Sequence, residues 1–192
     1  MKSFFFSQYL ITDPHEFGNN KELIELNLSN SFQKHKIDMI CFRDKESLDT
    51  NLLAKNVLDI SKQNGIGKVL INSNIELAVE LGFDGVHLTS LQFDEIQLAK
   101  QQNLYIIISC HSEYDVNNAK TLGCDAVSYS PIFYKENKGE PKGIENLRYI
   151  VNKYQSEDFK IIALGGIISD FEVNQVQSTN SSGFASIRYF KV

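Results

Sequence analysis

Gly82-Phe83-Asp84-Gly85-Val86 and Gly123-Cys124-Asp125-Ala126-Val127 are near-copies of one another, 41 residues apart. Each has a glycine that ends a helix-like stretch, then an aspartate, then the start of a β-rich run. Ser182-Gly183-Phe184-Ala185 is a looser third copy. One connection reused at corresponding places marks a repeated βα unit. Working outward, eight short β-rich runs appear, at 4–11, 39–42, 69–71, 85–88, 104–109, 126–130, 160–164 and 184–189. They are largely apolar rather than alternating, as parallel strands covered on both faces should be. The stretches between them are long enough for the crossovers that parallel strands need. Ser73 or Asn74 caps a helix through Ile75, Leu77, Ala78 and Leu81, which Gly82 ends. Ser112 with Glu113 opens another through Val116, Ala119 and Leu122, which Gly123 ends.

Eight βα units close most naturally into a (β/α)8 TIM barrel, here one domain over residues 1–192. The alternative is an open doubly wound sheet. The barrel is a minimal one, with about 24 residues per unit. The eighth run lies so close to Val192 that the last covering helix is lacking or truncated. An uncovered apolar wall there leads to the expectation of a homo-oligomer.

Composition excludes several classes. The chain is 42% hydrophobic and 22% charged, too apolar for a disordered protein. Its net charge of −5 gives no pull toward nucleic acid or an anionic membrane. The longest uncharged apolar run, 105–110, is far short of the roughly 20 residues of a membrane span. Phe4-Phe5-Phe6 is too short for the core of an export signal, and Ser7 and Gln8 break it. Three cysteines, Cys41, Cys110 and Cys124, have no CxxC spacing, which points to a reduced cytoplasmic protein.

In a barrel the site lies at the C-terminal ends of the strands. Those ends read Thr12-Asp13, Arg43-Asp44-Lys45, Asn72-Ser73, His87-Leu88-Thr89, Ser109-Cys110-His111, Ser130-Pro131, Gly165-Gly166 and Ile187-Arg188. They are polar although the runs feeding them are apolar, as a ligand pocket requires. Gly165-Gly166 after the seventh run and Arg188 after the eighth suit a phosphate; a plain tight turn is the other reading of the glycines. Arg43 and Lys45 suit a second polyanion such as a diphosphate leaving group, or form a solvated turn. Lys135, Lys138 and Lys142 sit in the longest loop, between Phe133 and Gly143, which either closes over a phosphate or is plain surface. His87 and His111 end their runs and could serve as general acids or bases, or structurally with the imidazole bonded to a backbone carbonyl. Cys110 and His111 point to opposite faces and are poorly placed as a dyad.

Taken together, Tyr9-Leu10-Ile11-Thr12-Asp13, Phe42-Arg43-Asp44-Lys45, Leu70-Ile71-Asn72, Gly85-Val86-His87-Leu88, Ser109-Cys110-His111-Ser112, Ser130-Pro131-Ile132-Phe133 and Ala163-Leu164-Gly165-Gly166-Ile167 resemble, in order and spacing, the thiamine phosphate synthases and the related thiazole tautomerases. The resemblance covers essentially the whole chain. It implies a barrel that joins hydroxymethylpyrimidine diphosphate to thiazole phosphate and releases pyrophosphate through a pyrimidine carbocation, usually with Mg2+. Arg43, Lys45 and Lys138 would be catalytic, holding the diphosphate together with Ser109. Asn72 would contact the pyrimidine, and His87 falls in the same substrate-binding set. Gly166, Ile187 and Arg188 would surround the thiazole phosphate.

The chain departs from that pattern at informative places. Ser73 and Gln92 stand where the resemblance implies carboxylate ligands for Mg2+, with Asp94 two residues beyond. Cys41 stands where a glutamine is implied, and Pro131 where the tautomerases carry their proton-shuttling histidine. Thiazole phosphate tautomerisation and non-catalytic binding of thiamine phosphate or thiazole phosphate are therefore the alternatives.

Overall fold

The computed structural model describes residues 5–47, 50–135 and 139–192. Eight parallel strands close into one barrel in sequence order: β1 Ser7–Ile11, β2 Met39–Phe42, β3 Lys68–Asn72, β4 Gly85–Leu88, β5 Tyr105–Cys110, β6 Ala126–Tyr129, β7 Lys160–Leu164 and β8 Gly183–Ser186. Every strand pairs in parallel with its sequence neighbour, and β8 closes on β1 with Tyr9 opposite Ala185. The open sheet is thereby excluded.

Helices fill the crossovers: α1 Pro14–Phe17 and α2 Lys21–Lys34 after β1, α3 Thr50–Gln63, α4 Ile75–Leu81, α5 Ile96–Gln101 behind the 3-10 turn Phe93–Glu95, α6 Glu113–Leu122, α7 Gly143–Tyr154 and α8 Asp170–Gln177. Asn74, not Ser73, caps α4 by accepting from the Leu77 N–H at 2.9 Å. Ser73 instead sits at φ 65°. Ser112 caps α6 through the Asp115 N–H.

The apolar runs bury both faces, and this is why they do not alternate. Tyr9, Ile11, Met39, Cys41, Leu70, Ile107, Ala126, Ile162 and Ala185 pack inside the barrel. Leu10, Ile40, Val69, Ile71, Val86, Ile106, Ile108, Val127 and Phe184 face the helices.

The repeated connection has a physical reason. The Asp84 carboxylate accepts from the Val69 N–H at 2.7 Å while the Asp84 N–H donates to the Val69 carbonyl. Asp125 makes the same pair of bonds to Ile106, again with 2.7 Å to the carboxylate. Asp38 does so to Gln8, at 2.9 Å. At the looser copy Ser182 donates its N–H to the Ile161 carbonyl, and the Gln155 side chain stands in for the carboxylate by accepting from the Ile161 N–H and the Ser182 hydroxyl. The two-fold units β1β2, β3β4, β5β6 and β7β8 are thus each stapled at the N-terminal end.

Two boundaries differ from the sequence reading by more than one residue. The first strand starts at Ser7, not residue 4, which lies outside the described residues. The eighth ends at Ser186 rather than 189. The Ser186 hydroxyl donates to the Ile167 carbonyl at 2.7 Å and accepts from the Tyr189 N–H at 3.2 Å, which bends Arg188–Phe190 into a 3-10 turn. This turn lies against the outer side of β8. It stacks Phe190 on Phe184, with ring centroids 5.5 Å apart and planes within 9°. Both rings are fully buried, so the wall expected to lie open is covered by the chain's own turn.

Candidate active site

The polar strand ends gather at the C-terminal mouth in two groups. The first is axial and stands on His87, which is only 4% exposed. Its Nδ1 hydrogen-bonds the Tyr9 hydroxyl at 2.9 Å, and its Nε2 meets Ser128 at 2.9 Å and Ser109 at 3.2 Å. Its carbonyl accepts from the Asn72 side-chain amide at 2.8 Å. One residue thus orients both Asn72 and Ser109. Burial, with a smaller contribution from the Arg43 charge, lowers its pKa to about 4, so the ring is neutral at pH 7. The structure corrects the expectation for His87: side chains rather than a backbone carbonyl hold the imidazole. Both ring nitrogens are engaged by side chains, and the residue holds Ser109 and Asn72.

The second group surrounds a cavity of about 360 Å³ lined by Asp13, Lys135, Gly165, Gly166, Ile187 and Arg188, among others. Gly165 and Gly166 have φ of 96° and 73°, a left-handed pair that side-chain-bearing residues rarely adopt. A Cβ on Gly166 would lie 2.6 Å from Phe133 Cβ and 2.7 Å from the Tyr134 carbonyl. The chain crosses here without side chains because the loop after β6 lies against it, with the Phe133 N–H donating to the Gly165 carbonyl at 3.0 Å. The result is bare backbone facing Arg188 across a small-molecule-sized space.

Asp13 ties Arg43 to the cavity. It lines the cavity and accepts a 2.7 Å bond from Arg43 Nη1. Thr12 locks the two strand ends together, its hydroxyl bonding the Arg43 carbonyl and N–H. Lys45 is exposed on the bend beyond Arg43. Between them Asp44 turns into its own loop. Burial alone would raise its pKa, but bonds from the Ser47 hydroxyl and the Glu46 and Ser47 N–H groups hold it below the usual value. Lys138 lies outside the described residues.

His111 is exposed, its Nδ1 3.1 Å from the Ser130 carbonyl, so the backbone-carbonyl role suits it. The three cysteines are buried and free. Burial pushes the thiols of Cys41 and Cys124 up to about 12 and raises that of Cys110 as well, which disfavours the thiolate that a nucleophile needs. Asp13, like Tyr9 and Ser128, is a site residue to which the sequence assigned no role. Its signal is present in Thr12-Asp13, but its partner is visible only once β1 and β2 are neighbours.

Ser73 and Gln92 occupy the places of the implied metal ligands and do not fit a divalent ion. Neither carries a carboxylate, and among the described residues no group of three or more His, Cys, Asp or Glu could hold a metal. Asp94 is exposed on the 3-10 turn.

Fold and mouth together define a (β/α)8-barrel protein with a polar, small-ligand-sized site at the C-terminal strand ends. A family model described as thiamine monophosphate synthase matches residues 8–190, and the chain belongs to that family. It is 31% identical over 121 residues to the thiamine-phosphate synthase of Bacillus velezensis, a match spanning 62% of this chain and 54% of that enzyme's length. It is 24% identical to the thiamine-phosphate synthase of Syntrophomonas wolfei over 95% of this chain and 87% of the relative. Among solved structures, thiamine phosphate pyrophosphorylase from Pyrococcus furiosus superposes with a TM-score of 0.77 at 23% identity, covering 95% of this chain and 85% of that one. At that identity the superposition shows the fold.

Proposed function

We propose that the chain catalyses the thiamine phosphate synthase reaction of thiamine biosynthesis. The carbon–oxygen bond of hydroxymethylpyrimidine diphosphate breaks, the electron pair leaves with pyrophosphate, and the thiazole nitrogen bonds to the exposed carbocation. The observation that carries the reading is the convergence of Gly165-Gly166 and Ile187-Arg188 on one cavity that shares Asp13 with Arg43. In this assignment Gly166, Ile187 and Arg188 receive the thiazole phosphate. Arg43, with Lys45 and Lys138, neutralises the departing diphosphate, and Ser109 bonds it. Asn72 holds the pyrimidine. His87 fixes Ser109 and Asn72 without itself changing protonation.

The test is pyrophosphate release from the two substrates. Arg43→Ala should lower it by about 10²–10³-fold, the usual loss when one charge-stabilising donor is removed. Thiazole phosphate isomerisation in the absence of the pyrimidine substrate would establish the tautomerase instead. A thermal shift with thiamine phosphate and no turnover would establish a binder; the shift corresponds to about 2.7 kcal/mol at 100-fold excess over Kd.

Three buried free thiols support a reducing, cytoplasmic setting, and no helix among the described residues is long and apolar enough to cross a membrane. Self-association is supported by exposed Ile168 and Phe171 beside the cavity rather than by the wall near β8. Sedimentation of the full chain tests it.

A further inference from the structure

Gln92 does more than leave a carboxylate out. Its Oε1 accepts from both the N–H and the hydroxyl of Thr89, each at 2.9 Å. Its Nε2 lies 2.9 Å from the Ser73 carbonyl and 3.1 and 3.2 Å from the two carboxylate oxygens of Glu95. Ser73 lies in the loop after β3, whereas Thr89, Gln92 and Glu95 lie in the stretch after β4. One carboxamide therefore ties the two segments together. The left-handed Ser73, whose N–H is anchored on the His87 carbonyl at 3.0 Å, belongs to the same arrangement.

Three oxygens from two segments, two of them on a carboxylate, converge on one point. Hard divalent cations select oxygen sets of this kind. Here the point is taken by an amide nitrogen, which carries partial positive charge and two protons to donate. We propose that the Gln92 carboxamide is a built-in substitute for a protein-bound divalent cation. It joins the β3 and β4 loops, so the chain itself contributes no cation site at this rim. Under the reaction proposed above, neutralising the diphosphate on this side then falls to the protein's own cations, Arg43 foremost. Any metal present arrives as part of the diphosphate substrate.

The test is Mn2+ uptake by the full chain without substrate, followed by the loss of the free-ion electron paramagnetic resonance signal and by calorimetry. Wild type should take up no stoichiometric Mn2+ at millimolar concentration. Gln92→Asp removes the amide donor and sets a second carboxylate beside Glu95 and the Ser73 carbonyl. It should bind Mn2+ at least about tenfold more tightly than wild type and melt at a lower temperature until Mn2+ is added. Adding Glu95→Gln should abolish that gain. Stoichiometric uptake by wild type that is lost in Glu95→Gln overturns the proposal, as does a folded Gln92→Asp that gains no binding. Should Gln92→Asp fail to fold, the wild-type arm decides alone: no uptake supports the proposal and uptake overturns it. Because no substrate is present, these results stand whether or not pyrophosphate release is observed, and failure of the proposed reaction is distinguishable from failure of this inference.

Discussion

His87 is buried at the centre of the candidate site, with both ring nitrogens bonded to side chains. In the unfolded chain its imidazole regains the ordinary value of 6.5, whereas in the barrel burial holds it near 4. Above pH 6.5 both states are neutral and stability is at its full value. As the pH falls from 6.5 toward 4 the unfolded chain takes up a proton that the folded chain refuses, a loss of up to about 3 kcal/mol. Urea unfolding should show that loss in wild type, and His87→Gln should show a smaller one. Equal losses would contradict it. At the cavity rim, Gly166→Ala drives a Cβ into Phe133 and Tyr134 at a φ that disfavours it. It should destabilise by about 1–3 kcal/mol and weaken phosphate binding further than the melting shift explains, as calorimetry with thiazole phosphate would show.

The recurring aspartates act at the scale of elements. Asp84 and Asp125 each present a carboxylate to an N–H of the preceding strand, a charge-assisted bond at the barrel's N-terminal end. Asp84→Ala and Asp125→Ala should each cost about 1.5–3 kcal/mol in chemical unfolding. Their costs should add, since the two staples share no partner. Asp59→Ala, which breaks only an exposed i,i+4 pair with Lys55, should cost under about 1 kcal/mol. These aspartates also explain why so much of the fold is legible in one sequence. The staple repeats as a short motif, and glycines and caps punctuate the helices between copies, so β2 and β4 fall where the residues place them and β6 differs only at its last residue. The end of β8 is not legible, because Ile187-Arg188-Tyr189 has strand propensity. What stops it is the Ser186 hydroxyl, bonded to a carbonyl 19 residues away.

Over the whole molecule, pairing of β8 with β1 closes the barrel, and the turn after β8 covers the wall beside it. Phe190 fills the place beside Phe184, and the Ser31 hydroxyl of α2 donates to its carbonyl at 2.7 Å. Phe190→Ala should cost about 3–5 kcal/mol and expose Phe184; a change below about 1 kcal/mol in thermal unfolding would contradict that role. Site legibility divides in the same way between local and distant. Glycines and cations at strand ends announce the cavity, because the barrel rule alone brings them to one mouth. The Asp13–Arg43 pair and the Gln92 bridge depend on side chains meeting across different loops, which no local pattern records. On the proposed function, the mouth bounded by Gly166, Arg188 and Arg43 receives both anions of the reaction. The decisive experiment is a crystal grown with thiamine phosphate and pyrophosphate. The phosphate group of thiamine phosphate should lie against Gly166 and Arg188, with pyrophosphate near Arg43. Anions bound instead at the opposite end of the barrel, by Lys68 and Lys160, would contradict the proposal.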